Sequence, residues 1–263
     1  MHRIQTFNQI ATRGLDRFPK QSYELGADLD HADAILLRSY KMDAAAINPE
    51  LKAVARAGAG TNNVPVDACT DRGVVVFNTP GANANAVKEL VLCGLLLASR
   101  GIVPGIGFAS SQTDVSDYSE LAKLMEQEKK QFKGSEIAGK TLGVIGLGAI
   151  GSLVAEMAIN LGMKVLGYDP ALSVEAAWRL PSQVKRIENI ASLVAGSNFI
   201  SLHLPVLDAT RNLINREVLD ALGSKGVLIN VSRGSVVDEP ALVDALLEGR
   251  LGGAGLDVYA QEP

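Results

Sequence analysis

The stretch 141–169 constrains the fold most strongly, because its pattern describes two strands joined through a glycine turn and a helix. It reads TLGVIGLGAIGSLVAEMAINLGMKVLGYD. An apolar run enters the glycine turn, an alanine-rich segment with helical periodicity follows, and a second apolar run ends at Asp169. This succession of strand, turn, helix, strand and carboxylate is typical of a βαβ unit that binds a dinucleotide at its first turn.

Each glycine of this turn has its own physical reason. Gly146 permits the tight turn, Gly148 lets a pyrophosphate approach the backbone, and Gly151 lets the helix pack closely against the strand. The first helical residues, Ala149 and Ile150, offer backbone N–H groups and the positive end of the helix dipole. The turn is therefore predicted to hold the phosphates of the cofactor.

The acid at the end of the second strand carries a prediction about cofactor choice. Asp169 is placed to accept hydrogen bonds from the ribose hydroxyls, and it would repel a 2′-phosphate. The sequence therefore predicts NAD rather than NADP. The alternative is that Asp169 only starts a turn, since it precedes a proline.

Composition excludes several other classes of protein. The chain has 263 residues, 47% of them hydrophobic, and a net charge of −4 without a long basic run, so we expect a folded protein that binds neither nucleic acid nor membrane. No signal-peptide pattern is read at the start, and Leu90 to Ala98 is too short to span a bilayer. The two cysteines, Cys69 and Cys93, are expected to be buried free thiols, which fits a cytoplasmic protein. No metal site is predicted.

The pattern of strands and helices divides the chain into two domains. Residues 1–100 alternate short apolar runs with short helical patterns, which indicates a parallel, doubly wound sheet. A strongly apolar helix, Asn83 to Arg100, ends this domain and suits an interdomain or subunit interface. Glycines and serines in 104–135 indicate a loop and then an exposed helix, so this stretch is read as a connector and the boundary is placed near Arg100.

Residues 101–263 form the second predicted domain. Six apolar runs, the first beginning at Thr141 and the last ending at Val258, alternate with four helical patterns. This arrangement matches the two halves of a Rossmann dinucleotide-binding domain. We therefore predict an α/β protein with two doubly wound parallel sheets, a flavodoxin-like substrate domain followed by a Rossmann NAD-binding domain.

Polar residues that can do chemistry follow the last strands of the second domain. His203 and Pro205 follow one strand, Arg233 follows the next, and Asp257 and Glu262 follow the last. Ligands of such sheets lie beyond the carboxyl ends of the strands. An arginine and two acids are thus expected at one rim of the sheet.

These motifs resemble the D-isomer-specific 2-hydroxyacid dehydrogenases, and within that family the enzymes that act on 3-phosphoglycerate. The matching stretches are GLGAIG at 146–151, NVSRGSVVDEPAL at 230–242, GAGLDVYAQEP at 253–263, AGAGTNNV at 57–64 and the VFNTPGANANAVKEL stretch at 76–90. The resemblance covers nearly the whole chain. It implies NAD-dependent oxidation of 3-phosphoglycerate to 3-phosphohydroxypyruvate, a step of serine biosynthesis.

The resemblance also implies roles for individual residues. Arg233 would be the catalytic arginine, which clamps the substrate carboxylate and polarises the reacting oxygen, and Glu262 would be the catalytic glutamate that orients a histidine. An arginine that caps a helix or forms an ion pair and an ordinary solvated glutamate are the alternatives. The cofactor would contact Gly146, Gly148, Ala149, Ile150, Gly151, Asp169, His203, Pro205, Val231, Ser232, Arg233, Asp257 and Asn83.

Two loops of the first domain would receive the substrate. Arg38 and Ser39, directly after a strand, match the pair that contacts the phosphate in the phosphoglycerate enzymes, although a surface arginine is the alternative. The backbone of Ala59 and Gly60 would receive the carboxylate, since a glycine loop makes a good anion nest; an ordinary turn is the alternative.

One feature of the family is missing from this sequence. The acid–base histidine of the family is expected beyond Pro263, and only His2, His31 and His203 are present. His203 is the sole local candidate, but its family counterpart lies in a cofactor-lining turn. We therefore expect this polypeptide to bind NAD and to oxidise 3-phosphoglycerate slowly, as a truncated dehydrogenase or, alternatively, a natural NAD-binding module without turnover.

Two further expectations concern substrate and assembly. Another D-2-hydroxy acid, such as lactate or glycerate, is the alternative substrate. The family usually dimerises through its cofactor domain, so we expect a homodimer or homotetramer that uses the apolar helix or the connector 104–135.

Overall fold

The computed structural model describes residues 1–261. The packing of Cα atoms divides the chain into two compact units, Met1–Asn83 and Ala84–Pro263. The division lies before the apolar helix, whereas the sequence placed a boundary after it, near Arg100. The helix belongs to the second unit because it packs on a helix and two strands there.

The first unit is a five-stranded parallel sheet with the order β2-β1-β3-β4-β5, the order of flavodoxin-like folds. Its strands are β1 (His2–Thr6), β2 (Tyr23–Gly26), β3 (Ala34–Leu37), β4 (Ala53–Arg56) and β5 (Val75–Asn78), and its helices are α1 (Thr12–Leu15), α2 (Val66–Asp71) and the 3₁₀ turn Ala44–Ala46. Short apolar runs of the sequence correspond to β1, β3, β4 and β5, whereas β2, an edge strand with the sequence YELG, was missed because four residues are too few to show a pattern.

The core of this unit covers one face of its sheet. Ile35, Leu37 and Val54 point into a buried cluster that also contains Cys69. On the edge strand β5, the side chains of Val75 and Phe77 remain more than half exposed.

The second unit contains a six-stranded parallel sheet with the order β11-β10-β9-β6-β7-β8. Its strands are β6 (Thr141–Ile145), β7 (Lys164–Tyr168), β8 (Lys185–Arg186), β9 (Phe199–Leu202), β10 (Val227–Asn230) and β11 (Gly253–Leu256). Its helices are α3 (Ala84–Ser99), α4 (Ile102–Ser110), α5 (Tyr118–Glu128), α6 (Ala149–Asn160), α7 (Val174–Trp178), α8 (Ile190–Ala195), α9 (Arg216–Leu222), α10 (Glu239–Leu247) and the 3₁₀ turns Lys129–Phe132 and Gly234–Val236. All six predicted strands are present, and the strand order reverses between β6 and β9, as in a Rossmann domain. The predicted fold class is confirmed.

Two apolar layers bury this sheet from both sides. The central strands β6, β9 and β10 are almost wholly buried. On one side, Leu95 of α3 and Val154 of α6 belong to a single cluster; on the other, Leu193 of α8, Leu219 of α9 and Leu242 of α10 belong to a second. Burial on both faces is what continuous apolar strands require in a parallel sheet.

The connector 104–135 is more helical than the sequence suggested. Gly105, Gly107 and Ser110, which were taken for a loop, lie in α4, so the prediction was wrong there; Ser111 ends that helix, and Ser116 lies in the non-helical stretch before α5. Helix α4 follows the apolar helix α3 and exposes three apolar residues, Ile102, Val103 and Ile106. An open cleft of about 490 Å³ lies between α4 and α5, lined in part by Phe108 and Phe132. Gly105 lies against Phe132, whereas the space around Gly107 is open.

Two smaller observations concern expectations from composition. Both cysteines are free, but Cys93 is exposed, so the expectation of two buried thiols was wrong for it. In residues 1–261 no single helix is long and apolar enough to cross a membrane; α3 and α4 reach that length only together, and they are bent by 67°.

Candidate functional site

The glycine turn after β6 has a geometry that only glycine permits at its first position. Gly146 has φ +92°, and a Cβ there would lie 2.4 Å from the carbonyl oxygen of His203. Its N–H donates to the carbonyl of Tyr168 at 2.8 Å, which ties the turn to the end of β7. The turn therefore lies directly against the chain that leaves β9 and β7.

The other two glycines differ sharply in their surroundings. A Cβ on Gly151 would lie 1.8 Å from the carbonyl oxygen of Gly146, so helix α6 can approach the turn only without a side chain there. Gly148 is the N-cap of α6, and a Cβ on it would meet nothing within 4 Å. The space next to Gly148 is thus open above the first-turn N–H groups of Ala149 and Ile150, where helices have no internal acceptors.

Asp169 is half-buried and holds the turn from the other side. Its Oδ2 accepts from the N–H of Leu147 at 2.8 Å, and its Oδ1 accepts from the N–H of Ala171 at 2.9 Å. The bond to Ala171 makes it a turn residue, as the alternative interpretation had it. A carboxylate has about four acceptor positions, so two remain for other donors, and the two interpretations are compatible.

His203 lies between β9 and the glycine turn as a neutral ring. Its Nε2 lies 2.9 Å from the hydroxyl of Ser201, a fully buried residue of β9, and its Nδ1 is buried without a partner among the described residues. Burial lowers the pKa of His203 to about 4. The imidazole therefore carries no charge near neutral pH. Pro205, two residues later, is exposed.

The turn that carries Arg233 is held by a buried asparagine that the sequence did not single out. Asn230, 1% exposed, accepts from the N–H and hydroxyl of Ser232 at 3.1 and 2.9 Å, and its Nδ2 donates to the carbonyl of Arg233 at 2.9 Å. The Arg233 side chain is exposed and donates to the carbonyl of Ser232 at 2.7 Å. Within residues 1–261 it forms no ion pair, so its guanidinium is available to an anion.

The chain after β11 returns to this turn. Asp257 is exposed, and its N–H donates to the carbonyl of Asn230 at 3.0 Å. A Cβ on Gly234 would lie 1.9 Å from the carbonyl carbon of Tyr259, so the returning backbone lies directly on the residue after Arg233. The predicted catalytic glutamate, Glu262, lies outside the described residues.

The predicted substrate loops both belong to the first unit, where they follow the adjacent strands β3 and β4. Arg38 and Ser39 are exposed, which fits both a residue that meets a ligand and an ordinary surface arginine. The carbonyl of Arg38 accepts from Nε of Arg56 and from Nδ2 of Asn63, both at 3.1 Å. Oδ1 of Asn8 accepts from the N–H of Ser39 at 3.0 Å.

The second loop is linked to the first through the same arginine. The guanidinium of Arg56 lies so close to Gly58 that a Cβ there would be 2.0 Å from it. The carbonyl of Ala59, the residue after Gly58, accepts from Nδ2 of Asn78 at 2.7 Å. Gly60, the second residue of the predicted anion nest, is half-buried. Asn83, the last residue of the unit, is exposed.

The sheet of the second unit thus gathers the predicted cofactor residues, other than Asn83 of the first unit, at the carboxyl ends of its strands. The glycine turn, Asp169, His203, the 231–233 turn and Asp257 follow β6, β7, β9, β10 and β11 respectively. Sequence reasoning missed Ser201 and Asn230, whose only signal is a polar residue inside a buried strand. Among residues 1–261, no group of three or more histidine, cysteine or acidic side chains could hold a metal.

Comparison with known proteins supplies the family. Residues 109–263 match the family described as D-isomer specific 2-hydroxyacid dehydrogenase, NAD binding domain. The chain belongs to this family. D-3-phosphoglycerate dehydrogenase of Mycobacterium tuberculosis is 41% identical over 261 residues, which cover 97% of this chain and 46% of that protein. Hydroxypyruvate reductase of Thermotoga maritima is 37% identical over 91% of this chain and 73% of its own length.

Solved structures agree with this membership. The structure of D-lactate dehydrogenase from Aquifex aeolicus, complexed with NAD and lactic acid, matches 98% of this chain and 77% of its own with a TM-score of 0.75 and 25% identity. This chain spans about half the length of the D-3-phosphoglycerate dehydrogenases that it matches.

NAD is the cofactor of this chain, and the residues present fit it. Gly148 leaves open space at the N-terminus of α6, where a pyrophosphate finds unpaired N–H groups. Asp169 keeps acceptor positions beyond those that it uses in the turn.

Proposed function

We propose that this chain is the cofactor-binding and part of the substrate-binding region of a 3-phosphoglycerate dehydrogenase, which forms 3-phosphohydroxypyruvate for serine biosynthesis. The observation that carries the proposal is the exposed guanidinium of Arg233, held on a braced turn and free of any ion pair within residues 1–261. A planar guanidinium binds a carboxylate through two parallel hydrogen bonds and polarises the adjacent oxygen. When bound, NAD supplies the two-electron oxidant.

The choice of a phosphorylated substrate depends on the first unit. Arg38 and Ser39 are exposed, while the backbone around them is held by Asn8, Arg56 and Asn63. Because the N–H of Ser39 is occupied by Asn8, the arginine side chain and the serine hydroxyl are the groups left for a phosphate. A backbone held by three side chains, carrying an arginine without an ion pair within residues 1–261, suits a dianionic ligand better than lactate or glycerate.

An arginine substitution tests the substrate. Arg38→Ala should weaken binding of 3-phosphoglycerate to the NADH complex by about 10- to 150-fold, the equivalent of about 1.5–3 kcal/mol for hydrogen bonds to a charged group. The same substitution should change the binding of glycerate less than threefold. Arg13→Ala is the control, because Arg13 is an exposed arginine of the same unit, and it should change the binding of either ligand less than threefold. Equal losses for both ligands would instead favour a non-phosphorylated 2-hydroxy acid.

Asp169 provides a test of cofactor choice. Since its carboxylate stands at the ribose end of the site and repels a 2′-phosphate, NAD should bind far more tightly than NADP. Calorimetry on the purified chain measures both dissociation constants. Comparable constants would show that Asp169 does not face the ribose.

The histidines lead to an expectation about turnover. His203 is buried and neutral with a pKa of about 4, and His2 and His31 lie on the surface of the first unit. General acid–base catalysis typically contributes about 10²–10⁴ in rate and is most efficient when the pKa of the group lies near the working pH. His203 does not meet that condition, so a polypeptide of residues 1–263 tested by itself should bind NADH and turn over slowly; a turnover number typical of the family's enzymes would overturn this view.

We also propose that the chain assembles as a homodimer through α3 and α4. Leu96, Leu97, Val103 and Ile106 are at least 40% exposed on these two helices, which gives an apolar surface larger than isolated residues would form. Light scattering at several concentrations measures the assembly. Ile106→Lys should shift it towards monomer, and a wild-type chain that stays monomeric would contradict the proposal.

A further inference from the structure

The loop after β11, residues 257–261, is tied to the Arg233 turn at two points. Near its start, the N–H of Asp257 donates to the carbonyl of Asn230 at 3.0 Å. Near its end, the N–H of Ala260 donates to Oε1 of Glu239 at 2.5 Å. Between these points the backbone crosses Gly234, where a Cβ would lie 2.0 Å from the carbonyl oxygen of Tyr259.

Glu239 is not needed to complete its own helix. The N-cap of α10 is Asp238, whose Oδ1 already accepts from the N–H of Ala241 at 3.1 Å. Glu239, the next residue, is half-buried, forms no ion pair within residues 1–261 and directs its carboxylate to a backbone N–H 21 residues away. Its described hydrogen bond thus serves the loop.

The position of this loop on the sheet decides what it can affect. In a Rossmann sheet the two mononucleotide halves of the cofactor lie on either side of the point where the strand order reverses. The adenosine half belongs to the side of β7, where Asp169 lies, so the nicotinamide half belongs to the side of β9, β10 and β11. The loop 257–261 and the Arg233 turn are therefore both at the nicotinamide end.

We propose that Glu239 is a positioning residue for the nicotinamide end of the site. By accepting the hydrogen bond from the N–H of Ala260, the Glu239 carboxylate keeps the loop 257–261 in contact with Gly234. It thereby sets the distance between that loop and Arg233. Because Gly234 tolerates no side chain between them, the loop and the arginine turn move as one. The proposal rests on the proposed function in that it takes the nicotinamide end to be the reacting end.

Two substitutions separate the hydrogen bond from the charge. Glu239→Ala removes the acceptor, whereas Glu239→Gln keeps an oxygen acceptor without the charge. Glu217→Ala is the matched control, because Glu217 is also an acid in the first turn of a helix, α9, but is exposed and lies far along the chain from the loop. Both acids contribute similarly to their helix dipoles.

NADH and ADP-ribose distinguish a positional effect from a general loss of structure, since ADP-ribose lacks the nicotinamide. Glu239→Ala should raise the dissociation constant of NADH by about three- to tenfold, the range for one ordinary hydrogen bond, and should change that of ADP-ribose less than twofold. Glu239→Gln should restore NADH binding, and Glu217→Ala should change neither ligand. Hydrogen exchange of the Ala260 amide should accelerate in Glu239→Ala and not in Glu239→Gln.

The outcomes are distinguishable. Equal losses of NADH and ADP-ribose, or a Glu239→Gln variant as weak as Glu239→Ala, would overturn the positioning role. If Glu239→Ala does not fold, Glu239→Asp, whose side chain is one methylene shorter, takes its place with the same expectations. A wild-type chain that binds neither ligand would instead refute the cofactor site on which the proposed function depends.

Discussion

Replacing Gly148 by alanine separates cofactor binding from folding. Gly148 has φ −69° and ψ −159°, values that alanine adopts without strain, and the new Cβ would meet no atom within 4 Å. Because alanine lowers the conformational entropy of the unfolded chain, such a substitution stabilises the folded protein by about 0.4–1 kcal/mol. Alanine is a poorer N-cap than glycine by a comparable amount, roughly 0.5–1 kcal/mol. The two effects nearly cancel, so the melting temperature should move by no more than about 2 °C.

The effect on the cofactor should be much larger. In the proposed cofactor site, the Cβ would enter the space through which a pyrophosphate reaches the N-terminus of α6. Inserting a methyl group into a packed contact costs about 1–3 kcal/mol, which corresponds to about a 5- to 150-fold higher dissociation constant for NADH. Gly148→Ala should therefore fold normally and bind NADH poorly.

Calorimetric titration with NADH and thermal unfolding of the purified chain measure both quantities. Gly107→Ala is the control: Gly107 lies inside α4 of the same unit with open space around it, so alanine should stabilise that helix by about 0.5–1 kcal/mol and leave NADH binding unchanged. If Gly148→Ala binds NADH as tightly as the wild type, the pyrophosphate does not cross Gly148 and the placement of the cofactor is wrong.

Three further predictions concern stability. Gly151→Ala, whose Cβ would lie 1.8 Å from the carbonyl oxygen of Gly146, should lower the free energy of unfolding by about 1–3 kcal/mol or more, measured by denaturant titration; an unchanged midpoint would contradict the close packing. Asn230→Asp loses the donor to a backbone carbonyl and introduces a carboxylate at a site 1% exposed, so its melting temperature should fall by several degrees, whereas an unchanged value would mean that the asparagine bonds contribute little. Because burial lowers the pKa of His203 to about 4 in the folded chain, the unfolded chain takes up the proton first, near pH 6.5. Stability should therefore be complete above pH 6.5 and fall by up to about 3 kcal/mol as the pH drops to 4, and His203→Asn should flatten that slope; a slope that persists in the variant would assign it to other groups. Asp33 titrates outside this window, since its hydrogen bond from Lys52 lowers its pKa to about 2.

Much of the second unit could be predicted from local pattern. The glycine turn, the strand on each side and the helix between them are specified within 29 consecutive residues, 141–169, so no distant contact is needed to recognise them. The six strands were equally visible because strands buried on both faces are continuous apolar runs. Fold class, family and cofactor were predicted correctly for this reason, whereas the roles of individual site residues stay predictions.

The missed elements share a different property. Strand β2 is a four-residue edge strand with a glutamate and a glycine, which disfavour strands, and α4 contains two glycines, which favour a loop, so local preference predicts neither element. The division at Asn83 likewise depends on which unit the apolar helix packs against, which its own residues do not reveal.

The sequence by itself determined which residues are candidates for the chemistry, because glycines, an arginine and acids at strand ends are chemically distinctive in a short window. Only the tertiary structure decided what holds them in place. Asn230 holds the Arg233 turn, Glu239 holds the loop 257–261, and Asn8 and Asn63 hold the loop of Arg38, all through hydrogen bonds to backbone groups. A backbone amide or carbonyl has no residue-specific signature, so such a partner becomes visible only when the folded chain brings the two groups together.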